Sequence, residues 1–100
     1  MEIKTESPIV KIIKKNEHYE LDYGQIKRGA DTKVDFDFYG THFLNYTKSC
    51  SCTEPLITNK EGYFTAIVSY DSNKIGTINQ YVIINTTDGS VKIDVKGQVI

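Results

Sequence analysis

Hydrophobic and polar residues alternate along most of the chain, and no stretch shows the periodicity of a helix. The segments Val34 to Phe38 and Val91 to Lys96 alternate strictly. The run from Phe64 to Tyr70 keeps the same phase, although Ile67 places an apolar residue on the polar side. A period of two residues is that of a strand with one face in a core and the other in water. These three segments are therefore predicted to be half-buried strands.

Three further segments extend this prediction. The run from Tyr81 to Ile84 is apolar on both faces, and shorter strands are predicted near Val10 to Ile12 and Tyr19 to Tyr23. Glycines lie between the predicted strands, where turns need a permissive backbone. The pair Asp88-Gly89 is expected to form a two-residue hairpin turn with positive φ. About seven short strands with turn signals every eight to twelve residues are typical of a β-sandwich.

Length and charge limit the classes of function. The chain has 100 residues, which fits one domain. Its formal net charge is -1 and Arg28 is the only arginine, which argues against a nucleic-acid partner. The first residues, MEIKTESP, lack the apolar stretch of a secretory signal, and no run is long enough to span a membrane. Synthesis in the cytoplasm without a membrane partner is therefore expected.

The two cysteines, Cys50 and Cys52, are the residues most suggestive of chemistry. Residues two apart in a strand lie roughly 6.5 Å apart, whereas a disulfide needs Cβ atoms about 3.8 Å apart, so a bridge requires a bend. A metal site needs about four ligands, and His42 is the nearest histidine that could join the pair. We favour two small, reduced side chains packed at a strand end. A redox or disulfide role, a metal site and a nucleophilic cysteine are the alternatives.

Several motifs together resemble a bacterial domain-of-unknown-function family with an S-C-G-C-T signature and an immunoglobulin-like sandwich fold related to Hydin-type and PapD-like domains. The resemblance rests on YGQIKRG (23–29), VDFDF (34–38), SCSCTEP (49–55), GYFTAIVSYDS (62–72) and VKIDVKGQV (91–99). Ser51 stands where the family has glycine. Members of the family are usually exported, whereas the first residues of this sequence do not resemble a secretory signal. The resemblance implies an immunoglobulin-like sandwich of about seven antiparallel strands over residues 8–100, acting in binding or scaffolding.

The expected function is that of a non-catalytic interaction module, with no catalytic residue and no cofactor. Tyr39, Tyr46 and Tyr63 lie near turns or on the less apolar strand phase, so they are candidates for a protein contact. Residues 1–7 form an N-terminal arm whose Ile3 is a candidate for strand addition to a neighbouring chain, or for covering this domain's own edge. A larger assembly such as a bacteriophage capsid is the favoured partner, by fold-level analogy. The alternatives are a free protein-binding adaptor and a redox- or metal-responsive domain.

Overall fold

The computed structural model describes residues 1–100 and contains only β-strands joined by turns and loops. The nine strands are β1 (Glu2–Lys4), β2 (Val10–Lys14), β3 (His18–Ile26), β4 (Val34–Tyr39), β5 (Phe43–Lys48), β6 (Thr53–Lys60), β7 (Tyr63–Tyr70), β8 (Gly76–Thr86) and β9 (Gly89–Val99). No helix that could cross a membrane occurs among these elements.

The strands form two sheets that pack face to face. The first sheet has the order β1-β4-β7-β6 and the second has the order β2-β3-β9-β8-β5. An immunoglobulin sandwich places strands A, B, E and D in one sheet and C, F and G in the other. The structure reproduces that arrangement with β1, β4, β7 and β6 facing β5, β8 and β9. The predicted immunoglobulin-like all-β fold is therefore confirmed, with β2 and β3 added as a hairpin beside β9. β3 pairs with β9 in parallel, so the expectation of antiparallel strands throughout is wrong at this pair.

The alternating segments form the interior as predicted. Every second residue of β4 and β9 points inward, and Phe36, Phe38 and Ile93 are completely or almost completely buried. Phe38 stacks on Phe64 of β7, with ring centroids 4.6 Å apart. The sixteen residues of the core are Ile3, Tyr19, Leu21, Val34, Phe36, Phe38, Phe64, Ala66, Val68, Ile78, Val82, Ile84, Val91, Ile93, Val95 and Val99.

Three local features differ from the predictions. The strand count is nine rather than about seven, because β1, β5 and β6 were not recognised as strands. Proline is generally expected outside strands, but Pro55 lies within β6, where it is tolerated because β6 is an edge strand. The last hairpin turn consists of Thr87 and Asp88, because Thr86 pairs with Gly89. Gly89 has positive φ at 129°, but Asp88 does not, so the predicted turn of two positive-φ residues is wrong.

The N-terminal segment pairs within its own domain. Glu2–Lys4 form β1 and pair antiparallel with Asp37 to Tyr39 of β4. Ile3 is only 9% exposed and belongs to the core. In this arrangement the predicted arm covers the domain's own edge, and the side chain of Ile3 is not available for contact with a neighbouring chain.

Candidate interaction surface

The β4–β7 pairing brings two of the three predicted tyrosines together. Tyr39 at the end of β4 is the direct partner of Tyr63 at the start of β7. Their rings stack with centroids 4.7 Å apart and an angle of 23° between the planes. Both tyrosines lie on the outer side of the four-stranded sheet, because their neighbours Phe38 and Phe64 point into the core. We call this side, centred on the pair, the tyrosine face.

Lysine side chains frame the stacked pair. Lys4 Nζ lies 5.4 Å from the centre of the Tyr39 ring, and Lys60 Nζ lies 5.6 Å from the centre of the Tyr63 ring. Both distances are within the range of cation–π attraction. Each ammonium therefore lies close to an aromatic ring, and because Lys4 also pairs with Glu2 at 3.9 Å, the margin of the tyrosine face carries both positive and negative charge.

Two concavities border the tyrosine face. A groove of about 870 Å³ opens between β1, β2 and β4, and its lining includes Tyr39, Lys4 and the apolar Ile12. A smaller depression of about 340 Å³ lies on the other side, and its lining includes Tyr63 and Lys60. Each of the two stacked tyrosines thus lines one concavity that a partner's side chain can enter.

The outer side of the five-stranded sheet has a different character. Its charged side chains are paired with one another: His18 Nε2 lies 2.6 Å from Asp94 Oδ2, and Lys96 Nζ lies 3.2 Å from Glu20 Oε1. Lys92 contacts Asp94 at 3.6 Å and also lies over the ring of Tyr81 at 5.0 Å. This network occupies the polar groups of that side with partners from the same chain.

The third predicted tyrosine, Tyr46, lies away from the tyrosine face. It belongs to β5, at the edge of the five-stranded sheet, where its hydroxyl donates a hydrogen bond to Glu54 Oε1 of β6 at 3.3 Å. Lys48 also pairs with Glu54. This hydrogen bond with Lys48 lowers the pKa of the Glu54 carboxyl and raises the pKa of Lys48. These contacts tie the adjacent edges of the two sheets, so Tyr46 links strands within the molecule.

The cysteines are bridged, contrary to the favoured interpretation of two reduced, packed side chains. Cys50 and Cys52 form a disulfide in the turn between β5 and β6, and their Cα atoms are 5.2 Å apart. The turn is closed by a hydrogen bond from Thr53 N–H to the Cys50 carbonyl at 3.2 Å. This turn supplies the bend that an extended strand lacks, and both cysteines are half-buried.

The histidine proposed as a third metal ligand is remote from the disulfide. His42 precedes β5, whereas Cys50 follows it. Five residue steps along that strand span roughly 17 Å. No group of three or more histidine, cysteine, aspartate or glutamate side chains is arranged to hold a metal ion. The residues considered for metal binding are therefore not brought together.

One exposed hydrophobic residue near the tyrosine face was missed by the sequence analysis. Leu56 of β6 is 60% exposed and is the direct partner of Ile67 on β7. Both alternate with core residues and therefore lie on the same outer side as the tyrosines. The signal that could have revealed this was Ile67 itself, the apolar residue in the polar phase of its strand.

Comparison with known proteins gives no relative from which a role could be transferred. No protein-family model matches the chain, and no curated protein matches its sequence.

Proposed function

We propose that this protein is a non-catalytic interaction module that attaches to a larger protein assembly through the tyrosine face. The observation that carries the proposal is the stacked pair of Tyr39 and Tyr63, framed by two lysines and bordered by two concavities. Charged side chains on the opposite side of the sandwich are also paired within the chain, but no two tyrosines stack there.

Tyrosine suits such a role for physical reasons. An aromatic side chain buries roughly 150–250 Å² on contact and has few rotatable bonds, so little conformational entropy is lost. The pair is already stacked, which lowers the ordering cost further. Leu56 and Ile67 extend the apolar area along the neighbouring strands. A protein surface that places apolar side chains in the two concavities and a carboxylate near Lys60 is the complementary partner.

The assembly that we propose is a protein shell such as a bacteriophage capsid, with this protein as a decoration or auxiliary component made in the cytoplasm. Fold-level analogy with small single-domain sandwiches supports this identification. A protein partner is favoured over nucleic acid because the chain contains a single arginine and has a net charge of -1. The resemblance to the S-C-G-C-T family is likewise a proposal, and it fits a scaffolding role.

The test compares two tyrosines in similar local settings on opposite sides of the sandwich. Tyr63 and Tyr81 each have a lysine over the ring, at 5.6 Å and 5.0 Å. Particles from the protein's natural source are isolated by gel filtration, imaged by electron microscopy and stripped of this protein. Tyr63→Ala is then expected to lose rebinding to the stripped particles by at least tenfold, and Tyr81→Ala to rebind like the unmodified chain.

Three outcomes distinguish the candidate functions. Selective loss in Tyr63→Ala, in a variant that remains folded, supports the tyrosine face. Equal rebinding by Tyr63→Ala and the unmodified chain contradicts it. Recovery of the protein only as a free monomer or in small complexes contradicts the assembly role and favours the alternative of a free adaptor.

A further inference from the structure

The disulfide turn lies at the end of the molecule remote from the stacked tyrosines. Cys52 immediately precedes β6, whereas Lys60 at the other end of that strand pairs with Tyr63. The length of β6 separates the two by roughly 25 Å. The cysteines are therefore remote from the stacked pair at the centre of the tyrosine face.

Hydrogen bonds hold the turn in place without the sulfur–sulfur bond. Ser49 N–H donates to the Tyr81 carbonyl at 3.0 Å, and Tyr81 N–H donates to Ser49 Oγ at 2.8 Å. On the other side, Asp71 N–H donates to the Cys52 carbonyl at 2.7 Å. The turn is thus anchored to both sheets by backbone contacts. Reduction of the disulfide leaves these contacts intact, so two thiols would stay close together on a fixed turn.

The bond also contributes little to the stability of the fold. Cross-linking stabilises a protein mainly by restricting the unfolded chain, and the effect grows with the size of the closed loop. Here the cysteines are only two positions apart, so the loop is very small. A disulfide that links distant strands would resist reduction through the stability of the fold, but this one has almost no such protection.

The two sulfur atoms have different surroundings. Cys52 N–H donates to Cys50 Sγ at 3.1 Å. A hydrogen bond from a backbone N–H favours the charged form of the group that accepts it. Cys50 is therefore the better leaving thiolate, and Cys52 is the sulfur that an incoming thiolate would attack. Both cysteines are half-buried rather than enclosed in the core, and Ser51 between them is exposed.

We propose that Cys50–Cys52 is a thiol–disulfide exchange site whose substrate is a pair of cysteine thiols on another protein. One partner thiolate attacks Cys52 Sγ, which forms a mixed disulfide and releases Cys50 as a thiolate. The second partner thiolate then attacks the partner's own sulfur in the mixed disulfide, which releases Cys52. The partner is oxidised to a disulfide, and Cys50 and Cys52 are reduced and take up the two protons.

The first test uses glutathione as the probe on the full chain. The oxidised protein is incubated in glutathione redox buffers, the free thiols are alkylated, and the products are counted by mass spectrometry. We expect interconversion between the disulfide and dithiol forms in native buffer, with two-dimensional NMR spectra that retain the folded dispersion in both. A disulfide that resists reduction until denaturant is added would overturn the proposal, and so would unfolding on reduction.

The second test addresses the direction of attack. The pH profile of alkylation by iodoacetamide is measured for Cys50 in Cys52→Ser and for Cys52 in Cys50→Ser. We expect the Cys50 profile to lie at lower pH, because the backbone N–H of residue 52 is present in both the native chain and Cys52→Ser. Coincident profiles, or a lower profile for Cys52, would overturn the assigned direction. Neither measurement depends on the tyrosine face.

Discussion

Gly97 is the position at which the structure predicts the sharpest effect of a single added methyl group. It lies on β9 opposite the irregularity of β3 between Asp22 and Gln25. A Cβ atom at Gly97 would lie 2.9 Å from the carbonyl oxygen of Gly24 and 3.1 Å from Cβ of Tyr23. The first of these atoms belongs to the backbone and cannot rotate away. Gly97→Ala must therefore displace one strand relative to the other.

The magnitude follows from two contributions. Gly97 has φ of +144°, and alanine at positive φ is strained by about 1–2 kcal/mol. Overpacking of a tight site adds about 1–3 kcal/mol. Gly62→Ala is the matched control, because Gly62 has φ of +83° but no atom within 4 Å of the added Cβ. Only the backbone strain applies at Gly62, so the free energies of unfolding of the two variants should differ by about 1–3 kcal/mol.

Thermal and urea unfolding followed by circular dichroism measure this difference. A change of 1 kcal/mol shifts the midpoint of a domain of this size by about 4–8 °C. Gly97→Ala should therefore melt at least about 4 °C below Gly62→Ala. Equal melting temperatures for the two variants would show that the β3–β9 contact relaxes freely, and would refute the argument from close approach.

Three other changes test separate parts of the fold. Gly89→Val should lower the free energy of unfolding by at least about 1 kcal/mol, because a β-branched residue is strained at φ of 129°. An unchanged thermal midpoint would contradict this. Ile3→Ala should lower the free energy of unfolding in urea by about 2–5 kcal/mol if β1 pairs within its own domain. An unchanged urea midpoint would mean that residues 1–7 detach from β4 in solution. Burial raises the pKa of Tyr23 to about 12, so the neutral phenol is favoured in the fold; stability should fall as pH rises from about 10 to 12, and the urea midpoints of Tyr23→Phe should fall less over this range.

The strands that alternation predicts over most of their length have a neighbour on both sides, whereas the edge strand β2 was inferred from only two apolar residues. β4, β7 and β9 lie inside their sheets and have one face in the core, so their sequences alternate. β5 and β6 lie at sheet edges, and most of their residues are exposed. Because few of their side chains are buried, the sequences of β5 and β6 show little alternation of hydrophobic and polar residues. Pro55 makes β6 harder still to recognise as a strand. For the same reason β1 appeared only as an arm with one apolar residue.

The candidate site could be predicted only one residue at a time. Tyr39 and Tyr63 were recognised separately, but their contact depends on the register of β4 against β7, which the sequence does not display. Two packed thiols were expected instead of the disulfide because Cys50 and Cys52 are too far apart for a bond when they lie on an extended strand. A turn between Cys50 and Thr53 changes that geometry, and turns of ordinary residues carry a weak sequence signal.

The parallel pairing of β3 with β9 has a consequence for how the chain folds. Tyr19 pairs with Ile93 and Leu21 pairs with Val95, so β3 finds its main partner only among the last residues of the sequence. During synthesis, β3 emerges early but can form only its hairpin with β2 until β9 has left the ribosome. Contacts between such distant residues form only after a large loop has closed, and the entropy lost on closure slows folding. Folding is therefore expected to take milliseconds to seconds. Until then the exposed edge of β3 is open to pairing with other chains, so rapid completion of synthesis and low chain concentration should favour correct folding.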